Sequence, residues 1–149
     1  MQFKPKGHVF RAFARNEEGT STVEFVIIFP AILVLILTFV ALSTYIATIS
    51  DVQQVASELT RQSLRYVDAG EDDTQLCATL NSEILPVISQ EFAFADSSRI
   101  SGLSCSIGAG QENVSVSVTY DLNGHYIQRF GSFLGLDVDV FTRRGYMRL

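Results

Sequence analysis

Glu24 is the residue whose type and position most clearly point to chemistry, because it stands at the head of a long apolar run. From Phe25 through Ser50 no side chain is charged. A carboxylate beside such a run is costly to take out of water, about 2–3 kcal/mol at the centre of a bilayer. Either Glu24 meets a cationic partner, or it stays at the level of the lipid headgroups without one.

Cys77 and Cys105 are the only two cysteines, and both lie beyond the apolar run. A disulfide between them would close a loop of about thirty residues, for which the chain-entropy model gives roughly 3–4 kcal/mol. Two buried free thiols are the alternative. We expect the disulfide, because the charge pattern described below places both cysteines in an oxidising compartment.

The other polar residues do not form a catalytic or metal-binding unit. His125 has no Ser, Cys or carboxylate spaced to act with it, so we interpret it as a turn residue. Asp72 and Asp73, like Asp137 and Asp139, lack the spacing and the Gly and Glu of an EF-hand loop. The sequence therefore predicts no catalytic residue, no metal and no cofactor.

The apolar run itself predicts a membrane-spanning helix. Phe25–Ser50 comprises 26 residues, and at ~1.5 Å per residue such a helix crosses a ~30 Å hydrocarbon core. The run is longer than the apolar region of a secretory signal peptide, and no small-x-small pattern closes it. The run could belong to a cleaved signal peptide, to an uncleaved signal anchor, or to a chain that is cut just before the run. Pro30 predicts a kink, since it removes one backbone hydrogen bond.

Charge is divided unevenly about this run. Lys4, Lys6, Arg11 and Arg15 precede it, whereas the chain from Asp51 onward carries thirteen acids and seven arginines with no lysine. The positive-inside rule then places the N-terminus in the cytoplasm and the acidic part outside. A net-acidic outer part also argues against nucleic acid as a partner.

Helical spacing of apolar residues continues past the run, but on one side only. This predicts an amphipathic extension of the same helix, about 45 residues in all, that starts near Ser21 or Thr22 and ends near Val67. Asp68-Ala69-Gly70 supplies the stop signal. The predicted apolar side comprises Tyr45, Ile49, Val52, Ala56, Leu59, Ser63 and Tyr66.

The remaining residues predict a small α+β domain with a second helix and a short antiparallel sheet. Asp73 or Thr74 is expected to cap the second helix. Strands are predicted at 100–107, at 114–120 and at 137–149, the last facing inward through Val138, Val140 and Thr142 and then shifting phase. Tyr126–Leu136 stays open between helix and loop, because Gly131 and Gly135 oppose the helical spacing of its apolar residues.

The start of the apolar run resembles the class III prepilin signature, which is a Gly, four further residues and then Glu-Tyr or Glu-Phe. In this chain these residues are Gly19, Glu24 and Phe25. Together with Pro30, the amphipathic extension and the Val-rich C-terminal part, they make the chain similar to the TadE family, the pseudopilins of the tight-adherence (Tad/Flp) pilus system. The strong part of the resemblance covers roughly residues 11–67. A major Flp pilin would end soon after the first helix, and TadG-like proteins are usually much longer. The closely related TadF family stays an alternative.

The resemblance implies three segments and a cleavage site. A prepilin peptidase would cut between Gly19 and Thr20, so that residues 1–19 are a cytoplasmic leader. Residues 20–68 would form the long helix, with its span at about 25–50 and its extension reaching about 67. Residues 69–149 would form the extracytoplasmic domain. The free ammonium of Thr20 in one subunit could then meet Glu24 of its neighbour and set the register of packed helices.

The resemblance also implies partners and a location. The partners are the prepilin peptidase, other pseudopilins, the major Flp pilin, the inner-membrane assembly platform and membrane lipid. The location is the inner membrane, single-pass, with a periplasmic C-terminal domain and a possible place in the extracellular pilus. An uncleaved single-span envelope scaffold of the same machinery and, remotely, a membrane-anchored hydrolase are the alternatives.

Overall fold

The computed structural model describes residues 18–149, and their side chains from residue 23 onward. The predicted leader lies outside the described residues up to position 17. The chain divides after Phe39 into two compact units. The first unit contributes helix alone to the described part, and the second contains the rest of that helix and the α+β domain.

Helix α1 runs from Glu18 to Asp68, 51 residues. It begins three residues before the predicted start at Ser21 and ends one residue past the predicted end. Pro30 lies inside this unbroken helix, and the kink there stays a prediction. Leu, Ile, Ala and Val dominate the helix up to Leu42, and such a segment needs lipid or another helix around it.

In the second unit, α1 packs one face onto the sheet, as its spacing predicted. The buried residues recur at intervals of three and four, so they form one stripe along the helix. Glu58 and Arg61 lie on the opposite side and pair with each other. The stripe comprises Thr48, Val52, Val55, Ala56, Leu59, Thr60, Ser63 and Val67.

The second helical region begins one or two residues earlier than predicted. Asp72 is the N-cap of α2 (Asp73–Thr79), and its carboxylate accepts hydrogen bonds from the N–H groups of Thr74 and Gln75. The Asp72 N–H in turn donates to Gln75 Oε1, which completes a capping box. The predicted cap at Asp73 or Thr74 was therefore wrong by one or two residues.

A π-helical turn interrupts this region before Pro86. Leu80–Ile84 is π-helical, and the Leu85 N–H donates to the Leu80 carbonyl five residues back. Helix α3 (Leu85–Ile88) follows with Pro86 in its first turn. Pro86 has no N–H to donate, and its ring crowds the preceding turn. The wider π-helical turn at Leu80–Ile84 lies where this ring needs room.

Three antiparallel strands form the sheet in the order β1-β2-β3. They are β1 (Ile100–Ile107), β2 (Asn113–Asp121) and β3 (Val140–Arg148). The alternation predicted for β2 is confirmed, since Val114, Val116, Val118 and Tyr120 are all buried. The long helix, second helix and antiparallel sheet together confirm the α+β class.

The predicted phase of the last strand was wrong. Val140 is 53% exposed, whereas Phe141 and Met147 pack against the core. Pairing with β2 sets this phase, because Phe141 lies opposite Tyr120 and Gly145 opposite Val116. Residues opposite each other in a sheet share a face, so the buried face of β2 determines which side of β3 turns inward.

Helix α4 (Tyr126–Phe133) fills the segment that the sequence left open. His125 is its N-cap, and Gly135 follows it with a φ of 77°, a conformation that glycine adopts without strain. Gly135 therefore ends the helix and does not oppose it. Of the predicted apolar face Ile127 is buried, whereas Phe133 is 74% exposed.

Candidate functional site

The first candidate surface is the exposed apolar segment, which we define as residues 23–37 of α1. Every side chain in it is exposed. The helix from Val23 onward is long and apolar enough to cross a membrane, and its most apolar stretch is not buried at all by the rest of the protein. No part of the described chain covers this surface, so the segment suits lipid or neighbouring helices.

Glu24 and Phe25 lie at the N-terminal end of this segment. Glu24 is exposed, and among residues 23–149 the structure forms an ion pair only between Glu58 and Arg61. Phe25 is 62% exposed, and its ring centroid lies 5.3 Å from that of Phe29 one turn later. The Glu24 carboxylate therefore has room for a partner that the described part of the chain does not supply.

Gly19 and Thr20 lie within α1, four to five residues before Glu24. The proposed cleavage site and the carboxylate are thus on one continuous helix, about 7 Å apart along its axis at ~1.5 Å per residue. This short separation would place a new N-terminus at Thr20 close to the level of Glu24.

Threonine hydroxyls within the apolar helix are satisfied by the helix itself. Thr38 Oγ1 donates to the Val34 carbonyl at 2.7 Å, and Thr44 Oγ1 donates to the Val40 carbonyl at 2.8 Å. Because each hydroxyl has a partner four residues back, these threonines need no water or second helix. Their presence is compatible with a membrane span.

Helix α1 and strand β3 approach each other closely at Gly145. A Cβ at this position would overlap the Ala56 carbonyl oxygen and the Thr60 hydroxyl. The Thr60 hydroxyl donates back to the Ala56 carbonyl. Sequence reasoning missed this contact, although a glycine inside a strand pattern is a signal of close backbone approach.

A disulfide joins Cys77 of α2 to Cys105 of β1, with 5.6 Å between their Cα atoms. Asp73 adds a second link, since its Oδ1 accepts the Ile107 N–H at 2.9 Å. The pairing expected from the sequence is thus the pairing in the structure. It fixes the second helical region across the outer strand of the sheet.

The loop before β1 is held at the end of the sheet where β1 starts and β2 ends. The groups that hold it are the Tyr120 hydroxyl and the Asp96 carboxylate. The Tyr120 hydroxyl accepts the Asp96 N–H at 3.1 Å, and burial raises the pKa of Tyr120. Hydrogen bonds from the Ser98 hydroxyl and N–H lower the pKa of Asp96. These bonds secure loop 92–99 and hold no group in position for catalysis.

His125 is the N-cap of α4. Its Nδ1 accepts the Ile127 N–H at 3.4 Å at the start of α4. Burial lowers the pKa of His125, and the positive charge of Arg99 lowers it further. The interpretation from sequence, a turn histidine, fits this position.

Metal-ligating side chains and one surface groove are the remaining features of the described part. Among the side chains of residues 23–149, no three metal-ligating groups cluster together. A surface groove of about 430 Å³ lies between α2 and β1, and its lining comprises Cys77, Ala78, Asn81 and residues 100–103. That lining contains no acid or base, and its cysteine is in the disulfide.

Comparison with known proteins finds a family match that covers most of helix α1. Residues 19–61 match the family described as TadE-like protein. The match begins at Gly19 and includes Glu24, Phe25 and Pro30. No curated protein and no solved structure is similar enough to the chain to count as a match.

Proposed function

Since this chain is a TadE-like protein through residues 19–61, we propose that it is a minor pseudopilin of a Tad/Flp-type pilus. It acts in pilus assembly and through it in surface adherence. Proteins of this family are generally not enzymes, and the chain works by association. The observation that carries the proposal is the family match beginning at Gly19 and continuing through the exposed apolar segment.

Processing is the first step of the proposed mechanism. A prepilin peptidase removes residues 1–19 and leaves Thr20 as the N-terminus. Residues 20–68 then form the helix of the mature protein, which crosses the inner membrane once at about 25–50. Residues 69–149 form the domain on the periplasmic side. The unequal distribution of Lys and Arg about the span supports this orientation.

Lateral packing is the second step. A helix with apolar side chains on every side gains by contact with neighbouring helices as well as with lipid. The Glu24 carboxylate of one subunit pairs with the Thr20 ammonium of its neighbour, and each charge lowers the desolvation cost of the other. Wrong registers leave both charges unpaired, so this pair selects one register. The neighbours are other pseudopilins and the major Flp pilin, assembled on the inner-membrane platform.

Deletion of the chain in cells that make the pilus tests the proposal. We expect the surface pili and adherence to be lost and to return when the wild-type chain is supplied in trans. The chain should remain in the membrane pellet after alkaline carbonate extraction, as a single-span protein does. Wild-type numbers of pili in the deletion strain would contradict a role in assembly.

An uncleaved scaffold protein of the same machinery is the second candidate. The described structure favours neither candidate, because the same exposed helix would anchor both. Their difference lies in the N-terminus, since the scaffold would keep residues 1–19. The mass of the chain recovered from membranes separates the two.

A further inference from the structure

Most exposed large apolar side chains of the second unit outside α1 lie together. Among the described residues beyond α1, nine such side chains are exposed. Phe133, at 74%, has the highest exposure of any large apolar side chain in the described part. Six of the nine form what we call the apolar rim: Phe94, Tyr126, Phe133, Leu134, Leu136 and Val140. A cluster of this kind marks an interaction site, whereas single exposed residues do not.

Hydrogen bonds hold the rim at one end of the sheet. They connect the loop that contains Phe94, the end of β2, helix α4 and the start of β3. The bonds are Asp96 N–H to Tyr120 Oη, Arg99 Nη1 to the Asn123 carbonyl, Gln128 Nε2 to Asp139 Oδ1, and Leu122 N–H to the Asp139 carbonyl. The rim is therefore a structured surface.

The direction of β3 shows which end of the sheet this is. Gly145 lies against Ala56 and Thr60, whereas the Phe141 ring lies 6.2 Å from the Tyr45 ring. The step from Phe141 to Gly145 in β3 covers about 13 Å, and the step from Tyr45 to Ala56 in α1 covers about 16 Å, so the two elements lie side by side over this length. Strand β3 therefore runs in the same direction as α1, so its start and the rim beside it lie at the level of Tyr45, near the end of the apolar run.

The rim is level with the end of the charge-free run. Asp51 is the first charged residue after that run, and its Oδ2 accepts the Phe94 N–H at 2.9 Å. Just before it, Leu42 and Ile46 of α1 are 48% and 64% exposed. Exposed apolar surface therefore continues from the helix to the rim within the second unit.

Resting on the proposed function, in which α1 spans a membrane, we propose that the apolar rim inserts into the interfacial layer of that bilayer. About 20 residues suffice to cross the hydrocarbon core, so the last residues of the 26-residue run lie among the headgroups. Tyrosines such as Tyr45 and Tyr126 favour this layer, and Phe133 is of the type found on the apolar face of helices that lie in it. Helix α4 lies in it with Ile127 turned inward and Phe133 turned to lipid.

The polarity of the unit favours a bilayer over a protein partner. The loops at the far end of the sheet, residues 69–73 and 108–112, expose no large apolar side chain. Tyr146 and Leu149 are the exposed large apolar side chains on and just after the far half of β3, fewer than the six of the rim, so apolar exposure is greatest at the rim end. The exposed acids Asp137 and Asp139 near the rim repel anionic headgroups. Insertion consequently depends on apolar burial and does not require anionic lipid.

Single tryptophans test this placement, because the chain contains none. The full chain is placed in phosphatidylcholine nanodiscs, one chain per disc, with lipids brominated on the acyl chains either near the glycerol, to report on the rim, or near the chain ends, to report on the middle of the span. Phe133→Trp reports on the rim. Tyr146→Trp is the matched control, since Tyr146 is 64% exposed but lies on the far half of β3. Phe39→Trp, at a position 63% exposed, reports on the span itself.

We expect brominated lipid to quench Phe133→Trp and Phe39→Trp strongly and to leave Tyr146→Trp unchanged. Quenching of Phe39→Trp without quenching of Phe133→Trp would overturn the rim proposal and leave the anchor intact. Unquenched Phe39→Trp would overturn the anchor and the rim together. A second set of discs holds two or more chains each. If Phe133→Trp is shielded from water only in this second set, a second copy covers the rim, which also overturns its insertion into lipid.

Discussion

At the scale of single residues, Glu24 and His125 show how differently a titratable group can be used. Glu24 is exposed at the head of the exposed apolar segment, where a charge is costly unless it meets another. His125 is partly buried, and its ring nitrogen completes the hydrogen bonding of a helix end. The first group is suited to association between chains, and the second belongs to the stability of one chain.

Replacement of Glu24 tests its role in association. Glu24→Gln keeps the size of the side chain and removes the charge, so we expect insertion and cleavage to continue. Photo-cross-links between the first helices of adjacent pseudopilins should be lost, and pili with them. Glu58→Gln is the control, because it removes a carboxylate of α1 whose pair with Arg61 is solvent-exposed and adds little to stability. Wild-type cross-links in Glu24→Gln cells would show that the carboxylate has no pairing role.

The His125 cap predicts a pH dependence of stability. Burial lowers the pKa of His125 from 6.5, so on acidification the unfolded chain takes up a proton before the folded chain does. Stability is therefore complete above about pH 7 and falls as the pH drops through 6.5. The carboxylates of Glu58 and Asp96, whose pKa values are lowered, titrate below this window.

His125→Asn should flatten this dependence, since an asparagine oxygen caps a helix without titrating. His125 is the only histidine in residues 20–149, which makes the comparison simple. Hydrogen exchange of the α4 amides, measured between about pH 7.5 and 5.5 and corrected for intrinsic rates, gives the change in stability. An equal loss of stability in both proteins would assign the effect to another group.

At the scale of elements, the packing of α1 on β3 depends on one residue without a side chain. Gly145→Ala places a methyl group against the Ala56 carbonyl and the Thr60 hydroxyl. We expect a loss of about 1–3 kcal/mol, as overpacking of a core typically costs. Hydrogen exchange of the β2 amides in the detergent-solubilised chain measures this loss.

Gly102→Ala is the matched control within the same sheet. A Cβ at Gly102 would meet the Thr119 Cβ at 3.7 Å, which is an ordinary contact. This variant should therefore keep nearly the wild-type stability. Equal losses in the two variants would mean that the sheet tolerates no added methyl, and the specific contact with α1 would not be the cause.

The disulfide gives a second prediction for the elements. Cys77 and Cys105 are separated by 28 positions, a loop for which removal of the bond costs roughly 3–4 kcal/mol on the chain-entropy estimate. Cys77→Ser should lose this stability, and the double variant Cys77→Ser/Cys105→Ser should lose the same amount. Two free thiols in wild-type protein trapped during isolation would contradict the bond in the cell.

The sequence predicted α1, β1 and β2 well because their patterns are long and regular. It placed Val140 on the wrong face of β3, since the short pattern there offers two phases and pairing with β2 selects one. It left α4 open because Gly135 was weighed as part of the helix, whereas it lies beyond the helix end. The Gly145 contact joins residues about ninety positions apart, so no local pattern shows which atoms it meets.

At the scale of the whole molecule, two sequence features bear on how the chain is used. Basic residues lie before the apolar run and acids predominate after it, which supports one crossing with the N-terminus in the cytoplasm. The TadE-like match starts at Gly19, where the proposed leader ends. The proposed function as a pseudopilin requires that the proposed leader be removed and that the helix associate with others.

The mass of the chain purified from membranes tests this account most directly. In cells with an active prepilin peptidase, we predict a protein that begins at Thr20. Gly19→Val should remain full length, because a branched side chain crowds the bond to be cut, whereas Gly19→Ala should still be cleaved. A wild-type chain that still begins at Met1 in those cells would contradict the proposed processing and favour the uncleaved scaffold.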